Sequence, residues 1–206
     1  KGLGLSVQIG FFASILSSVV AVALAFLSSF NKHLDSFVSW LIDVFLSIPH
    51  ILLIILISIA LGGGAFGVLI GVAFTHWTSL ARVLRAEIKR IKTSEFVTIS
   101  EKLGQSKLWI ARKQILPLVI TQVIVGTILI FPHAIMHEAS VTFLGFGLSP
   151  HEPAIGIILS ESMKYLATGN WWLALFPGLA LLILVLLFDI AGENIKKMLD
   201  PTSAND

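Results

Sequence analysis

The chain has 206 residues, of which 56% are hydrophobic and only 13% are charged, and its formal net charge is +2. Soluble domains carry roughly 25% charged residues, so a composition with a mean hydropathy of +0.93 argues against a soluble enzyme and a nucleic-acid-binding protein. The sequence contains no cysteine, which excludes disulfides, thiol nucleophiles and cysteine-based metal sites. These numbers predict an integral membrane protein.

Five apolar segments are long enough to cross a bilayer, since about 20 helical residues span a hydrocarbon core of roughly 30 Å. In chain order they are residues 5–30, 36–61, 64–81, 115–136 and 171–190. Asp43 and the pair Pro49-His50 interrupt the second segment, which we therefore expect to bend near its middle. Backbone groups in lipid must be bonded internally, and the apolar runs are continuous. The predicted fold class is all-α, a polytopic transmembrane helical bundle forming one domain over residues 1–206.

Lysine and arginine are concentrated in one connection of this bundle. Residues 82–114 hold nine of the fourteen basic residues. Cytoplasmic loops carry an excess of Lys and Arg, and placing this loop inside leaves only Lys1 and Lys164 on the outer side. We therefore predict that loop 82–114 and the C-terminus are cytoplasmic and that segment 138–170 is extracytoplasmic.

The basic loop has the pattern of short helices rather than of a flexible connection. Residues 79–91 form a basic amphipathic piece, and a second helix begins after Ser94, a suitable N-cap, and ends near Gly104, a suitable C-cap. A third piece, residues 107–115, leads to Pro117 at the membrane entry. Such a capped helix suits docking to a partner, and equally suits a surface helix resting on anionic headgroups.

The capped helix carries a resemblance to a known family. Residues 95–104, followed by Ile-Leu-Pro at 115–117, resemble the EAA motif of ABC importer permeases. Residues 143–147, 150–156 and 176–201 resemble blocks typical of the second permease subunit of dipeptide, oligopeptide and nickel importers. The resemblance covers essentially the whole chain, although the family's first transmembrane helix has no counterpart in this sequence.

The resemblance implies an ABC importer type I permease fold and a site that couples the chain to an ATPase. The family's Ala-Ala pair is Ile99-Ser100 here, so the fit to the partner differs in detail. The residues implied at this coupling site are Glu95, Phe96, Val97, Ile99, Ser100, Leu103, Gly104 and Pro117.

The implied partners are a homologous second permease, two ATP-binding subunits, an extracytoplasmic substrate-binding protein and membrane lipid, with no nucleic acid. The sequence has no G-x-x-x-x-G-K-[ST] loop for ATP phosphates, so we expect hydrolysis, with ATP and Mg²⁺, on separate subunits. This chain is then a non-enzymatic transport subunit without a bound cofactor. The implied location is the cytoplasmic (inner) membrane of a bacterium or archaeon.

Ionisable residues at membrane depth are functional candidates because they are costly to place there. They are Asp43, His76, His133, His137 and Glu138. His133 and His137 are spaced i, i+4 and so share a helical face, and imidazole is a good ligand for nickel. Taken alone, these histidines could simply bond neighbouring helices.

The runs around His76 and His133 resemble the nickel branch of the family, which favours import of Ni(II) or a nickel chelate along a path lined by these five residues. Asp43 is usual in the wider family, so a packing role suits it better than substrate contact. The alternative cargo is a dipeptide or oligopeptide. A rival from another class is a stand-alone ion-coupled carrier or channel that uses Asp43 and the histidines.

Overall fold

The structure is a computed structural model that describes residues 2–199, so the expectations placed on Lys1 and on Asp200-Pro201 lie outside the described residues. Over this range the regular structure is entirely helical. In chain order the helices are α1 (Gly2–Ser28), α2 (Lys32–Ser47), α3 (His50–Ala60), α4 (Gly64–Lys92), α5 (Glu95–Lys102), α6 (Lys107–Ile110), α7 (Leu116–Phe143), α8 (Ile155–Leu166) and α9 (Trp172–Leu199).

The predicted number of membrane spans is confirmed. Four stretches are long and apolar enough to cross a membrane as single helices: α1, α4, α6 continued into α7, and α9. The helices α2 and α3 together make a fifth candidate, bent by 96° at their junction. Ile48 at the bend has extended dihedral angles (φ −100°, ψ 132°), as expected for a residue that precedes proline. The bend predicted from Pro49 is therefore present.

The predicted loop 82–114 is shorter than expected, because α4 continues without a break to Lys92. Leu84, Ile88 and Ile91 recur at helical spacing and are buried in one core cluster, so packing extends the helix beyond its apolar span. Residues 79–91 are helical as predicted, but they form the end of α4 and not a separate piece of the loop. On the other side α6 leads directly into α7, and residues 93–106 with α5 form the connection that remains.

A π-helical turn, Ala111–Ile115, joins α6 to α7. Pro117 follows in the first turn of α7. Proline has no N–H to donate to the carbonyl four residues back, and its ring crowds that carbonyl. A locally widened turn relieves this crowding, and such turns are frequent at functional sites.

Glycines allow the close approach of α3 and α4. A Cβ atom on Gly67 would lie 2.8 Å from the backbone oxygen of Ser58, and one on Gly71 would lie 2.9 Å from that of Ile54. Small residues spaced by four along a helix permit such backbone contact between membrane helices. Gly67 and Gly71 therefore hold α3 close against α4.

The buried core has two parts, one toward each end of the bundle, and α9 lies at its edge. The helix α9 packs on α7 through Phe188, whose ring lies 4.6 Å from that of Phe131. Gly192 of α9 faces Leu129 of α7. Most large apolar side chains of α9 are exposed in the chain by itself, which leaves this face for lipid or for another subunit.

Candidate functional site

The helix α5 is held on the bundle by its apolar inner face. Val97 is fully buried and belongs to the same core cluster as Ile91, Ile110 and Ile115. Ser94 occupies the N-cap position as predicted, but its side chain donates to the oxygen of Ile91 at 2.5 Å instead of capping α5. The helix is thus anchored by one buried valine and by the preceding end of α4.

The outer face of α5 is apolar and uncovered. The side chains of Phe96, Ile99 and Leu103 are 45%, 56% and 76% exposed, and the spacing i, i+3, i+7 places them in one row. Leu108 and Trp109 of α6, which follows α5 in the sequence, are also exposed. Glu95 is exposed at the start of the helix, where its charge suits the helix dipole.

The end of α5 is fixed by Gly104 and by a hydrogen bond to the base of α7. Gly104 has a φ of +82°, a left-handed conformation that favours glycine at a helix end, so the predicted C-cap is confirmed. The amide Nε2 of Gln114 donates to Ser100 Oγ at 2.6 Å. Gln114 lies in the π-helical turn, and Pro117 follows it as an exposed residue at the start of α7. This hydrogen bond joins α5 to the turn that precedes α7.

A second candidate site is a cavity of about 480 Å³ between α3, α4 and α7, which we call the histidine cavity. Four imidazoles line it: those of His50, His76, His133 and His137. The ring centroids of His76 and His137 are 4.8 Å apart, and His50 lies 5.5 Å from His76 and 6.2 Å from His137. The rest of the lining is mainly apolar, with Ser79, Gln122 and Lys196 as further polar groups.

The contacts of the histidine pair determine its tautomers. His76 Nδ1 lies 3.0 Å from the carbonyl oxygen of Val72, which can only accept, so Nδ1 carries the proton in the neutral ring. His76 Nε2 is then an acceptor and lies 3.2 Å from His137 Nδ1, which also lies 2.9 Å from the oxygen of His133. His137 therefore donates from Nδ1 and keeps the lone pair of Nε2. In this arrangement His76 has no free lone pair.

Glu138 is next to His137 in the chain but does not line the histidine cavity. Its side chain is fully buried, and Thr142 Oγ1 donates to its Oε1 at 2.9 Å. The hydroxyl of Ser6 in α1 lies near the same carboxyl group and accepts from the N–H of Ile155 at the start of α8. Glu138 thus stands where α1, α7 and α8 meet.

Asp43 also stands apart from the histidine cavity. Its Oδ1 lies 3.5 Å from Arg82 Nη2, and both side chains are largely exposed. The structure therefore brings together His76, His133 and His137 of the predicted path residues, and separates Glu138 and Asp43 from them.

Two features of the site escaped the sequence reasoning. His50 lies at the predicted helix break, and irregular backbone at membrane depth occurs where it lines a cavity, so the break itself is the signal that indicates His50. The second feature is an ion-pair network in which Asp35 accepts from Arg85 Nη2 at 2.5 Å and from Lys89 Nζ at 2.8 Å. Asp35 is 50 residues from Arg85 in the chain and further still from Lys89, so no local pattern indicates the pairing.

The donor set of the histidine cavity is not arranged around a metal ion. Within residues 2–199, no group of three or more His, Cys, Asp or Glu side chains stands in a position to hold one. The mutual bond of His76 and His137 uses one of the lone pairs that a metal would need. Polar and apolar groups of an organic molecule could both find partners in the cavity.

Comparison with known protein families gives one match over most of the chain. Residues 13–201 match the family model described as "Binding-protein-dependent transport system inner membrane component".

Curated relatives match nearly the whole chain. The chain is 32% identical over 201 residues to the dipeptide transport system permease protein DppC of Haemophilus influenzae, a match that covers 97% of the chain and 68% of that protein. It is 26% identical to DppC of Bacillus subtilis, over 97% of the chain and 63% of that protein. It is 28% identical to the oligopeptide transport system permease protein OppC of B. subtilis, over 97% of the chain and 66% of that protein. The chain thus spans about two thirds of the length of these relatives.

Solved structures share the fold. An inward-facing structure of the MetNI methionine ABC transporter matches with a TM-score of 0.77 at 20% identity, over 97% of this chain and 94% of that one. A crystal structure of an amino acid ABC transporter with histidines matches with a TM-score of 0.70 at 15% identity, over 94% and 90% of the two chains. The architecture is therefore that of ABC importer type I permeases.

Proposed function

Because the chain belongs to the family of binding-protein-dependent transport system inner membrane components, we propose that it is the permease subunit of an ATP-driven importer of dipeptides or oligopeptides. It is a multi-pass protein of the inner membrane and forms half of a translocation path. The observation that carries the proposal is the exposed apolar row Phe96, Ile99 and Leu103 on a short helix anchored to the bundle.

That row supports docking to an ATP-binding subunit. A helix that only rested on lipid headgroups would direct cations as well as apolar side chains toward the membrane. The apolar row of α5 instead lies beyond the apolar spans, at the end of the bundle that is richest in Lys and Arg. A stand-alone carrier has no use for such a helix. The bond between Ser100 and Gln114 then carries movement from α5 into α7, as in hinge and shear transitions.

Other parts of the assembly follow from the same proposal. The uncovered face of α9 and the open side of the histidine cavity suit a homologous second permease, and segment 138–170 suits an external substrate-binding protein. ATP and Mg²⁺ belong to the two ATP-binding subunits. Loop 82–114 and the C-terminus face the cytoplasm in this arrangement, in agreement with the distribution of Lys and Arg.

The cargo proposal rests on the lining of the histidine cavity and on the relatives. The lining is mainly apolar, and the volume of about 480 Å³ is within the usual range for pockets that hold small molecules. The relatives named above are permeases of dipeptide and oligopeptide systems. Ni(II) or a nickel chelate is the second candidate, because four imidazoles line one cavity and imidazole is a preferred nickel ligand. The bond between His76 and His137 counts against it, since it occupies one of the lone pairs that the ion would need.

The two cargoes can be separated by uptake into vesicles that contain the complete importer. We would compare ATP-dependent uptake of radiolabelled dialanine and of radiolabelled nickel, each with the other in excess, for the unchanged chain, His137→Asn and the control His33→Asn. His33 is exposed on α2 and does not line the cavity.

Dialanine uptake that ignores nickel and changes less than about threefold in His137→Asn is the expected result. Nickel uptake that ignores dialanine and collapses in His137→Asn, but not in His33→Asn, would replace the peptide assignment. Uptake of either cargo that proceeds without ATP would contradict the importer itself.

A further inference from the structure

A small basic pocket lies at the corner between α1 and α2, against the last turns of α4. It has a volume of about 240 Å³, and four cationic side chains and one carboxylate line it. The cations are Lys32, Arg85, Lys89 and Lys92, and the carboxylate is Asp35. Three positive charges are therefore uncompensated within a space that holds only a small group.

The contacts of the pocket leave two of its lysines without a carboxylate partner, while Arg85 Nη2 also donates to Ser39 Oγ at 2.6 Å. Asp35 pairs with Arg85 and Lys89, but within residues 2–199 no carboxylate lies at ion-pair distance from Lys32 or Lys92. Lys92 Nζ donates instead to the carbonyl oxygen of Ser29. The Nε of Arg85 is buried and has no hydrogen-bond partner among the described residues. Buried charged donors without partners are costly, so an anion that reaches this Nε from the pocket would remove a cost.

The backbone adds to the positive potential. Asn31 lines the pocket and accepts from the N–H of Leu34 at 2.8 Å, as the N-cap of α2. The N-terminus of this 16-residue helix therefore opens at the pocket, and helix N-termini favour negative groups. The pocket thus offers fixed ammonium and guanidinium groups, and the positive end of a helix, to one anion.

The surroundings indicate an anion attached to hydrocarbon. Leu27 and Phe30 at the end of α1 and Phe37 in α2 are exposed large apolar side chains on the two elements that form the corner. Trp40, also exposed on α2, is a residue type enriched at membrane interfaces. A pocket of this size is below the range of about 300–1,000 Å³ that encloses drug-sized ligands, so it suits a headgroup rather than a nucleotide.

We propose that this pocket binds the phosphate group of an anionic membrane lipid, with Lys32, Lys89, Lys92 and Arg85 as its ligands. Basic pockets between membrane helices are the sites at which such headgroups bind. The lipid would hold the α1–α2 corner against the end of α4, directly before α5 begins. This site is separate from the histidine cavity and from the outer face of α5, and it does not depend on which cargo is carried.

The test is a titration of the detergent-purified complex, followed by native mass spectrometry to count bound molecules. The titrants are a short-chain phosphatidylglycerol, the matching short-chain phosphatidylcholine, and inorganic phosphate. The variant Lys32→Gln/Lys92→Gln removes two cations of the pocket, and Lys102→Gln/Lys113→Gln removes two exposed cations from the same end of the bundle outside it. Lys32→Gln alone, at an exposed position, serves if the double variant does not fold.

We expect one tightly bound phosphatidylglycerol that phosphatidylcholine does not replace. Each lysine near an anionic lipid is worth roughly a fivefold change in affinity, so the pocket variant should bind about 25-fold more weakly, and the control should bind as the unchanged chain does. Equal loss in both double variants, or none in either, would overturn the site. Displacement of the lipid by equimolar inorganic phosphate would show that the pocket takes a free anion and would overturn the lipid assignment.

Discussion

The helix α5 and the histidine cavity are held in place in different ways. The helix α5 rests on the bundle through one fully buried residue, Val97, and through the bond from Gln114 to Ser100. The histidine cavity lies between α3, α4 and α7, and the backbones of α3 and α4 come close to each other at Gly67 and Gly71. The helix α5 thus has few buried contacts and an exposed apolar face, whereas the histidine cavity adjoins the closely packed pair α3 and α4.

This difference matches the two tasks that an ATP-driven permease has to combine. A helix with few buried contacts can be shifted by a partner at low cost. A packed core changes between discrete arrangements instead of deforming continuously. We therefore expect α5 to tolerate substitutions except on its outer apolar face. The α3–α4 pair should be destabilised by any side chain that adds volume between the two helices.

The largest effect is expected from Leu103→Asp. Leu103 is the most exposed apolar residue of the α5 row, so the change should leave the stability of the chain unaltered. In an apolar cleft of the ATP-binding subunit, however, a carboxylate would be buried without a partner. We expect association to weaken about 30-fold or more, the scale of a binding hot spot, as measured by co-purification of the ATP-binding subunit.

The control for that experiment is Thr98→Asp, at an exposed position of α5 outside the row. It should retain the ATP-binding subunit. If Leu103→Asp also retains it, the row is not the docking face.

An intermediate effect is expected from Gly67→Ala. The new Cβ would stand 2.8 Å from the backbone oxygen of Ser58, and because this neighbour is backbone, α3 has to shift. Overpacking of this kind costs about 1–3 kcal/mol, which thermal unfolding of the purified chain in detergent would measure. Gly4→Ala is the matched control, since a Cβ there meets open space. Equal unfolding temperatures for the two variants would show that α3 and α4 are not closely packed at Gly67.

The smallest effect is expected from Ser100→Ala, which removes the acceptor of the Gln114 amide. A hydrogen bond of this kind contributes about 1 kcal/mol, so assembly should survive. The ratio of ATP hydrolysed to dipeptide imported should rise, by at most about fivefold, because α5 is less firmly linked to α7. Thr98→Val, which loses only a bond to the oxygen of Ser94, should leave the ratio unchanged, and a similar rise in both variants would argue against a specific role of Ser100.

The same two regions differ in how far the sequence could predict them. The helix α5 is a contiguous segment, so its cap at Gly104 and its apolar spacing were visible as local patterns, as were the five spans and the bend at Pro49. Helix boundaries were less accurate. The amphipathic pattern of residues 79–91 indicates a helix, but it does not show that this helix continues α4, which extends to Lys92 because Leu84, Ile88 and Ile91 are buried in the core.

The histidine cavity depends on contacts between distant residues, which a single sequence does not specify. The shared face of His133 and His137 followed from their spacing, but His76 and His50 joined them only through the packing of α3 and α4 on α7. Glu138 is next to His137 in the sequence, but its side chain points toward Ser6 of α1. Asp43 lies in a predicted span, as the histidines do, but its side chain pairs with Arg82. Hydropathy predicts which segments span the membrane, but it does not predict how each helix is rotated about its axis and hence which side chains face the cavity.

The most direct test of the central claim is a cross-linking experiment in the assembled importer. The chain has no cysteine, so Leu103→Cys and Phe146→Cys each introduce one thiol, both at exposed positions. Phe146 follows the end of α7 opposite to the one that α5 adjoins. With a short thiol-to-amine cross-linker, the proposal predicts that Leu103→Cys is joined to the ATP-binding subunit and that Phe146→Cys is not. An adduct from Phe146→Cys without one from Leu103→Cys would contradict the assignment of α5 as the helix that couples this permease to ATP hydrolysis.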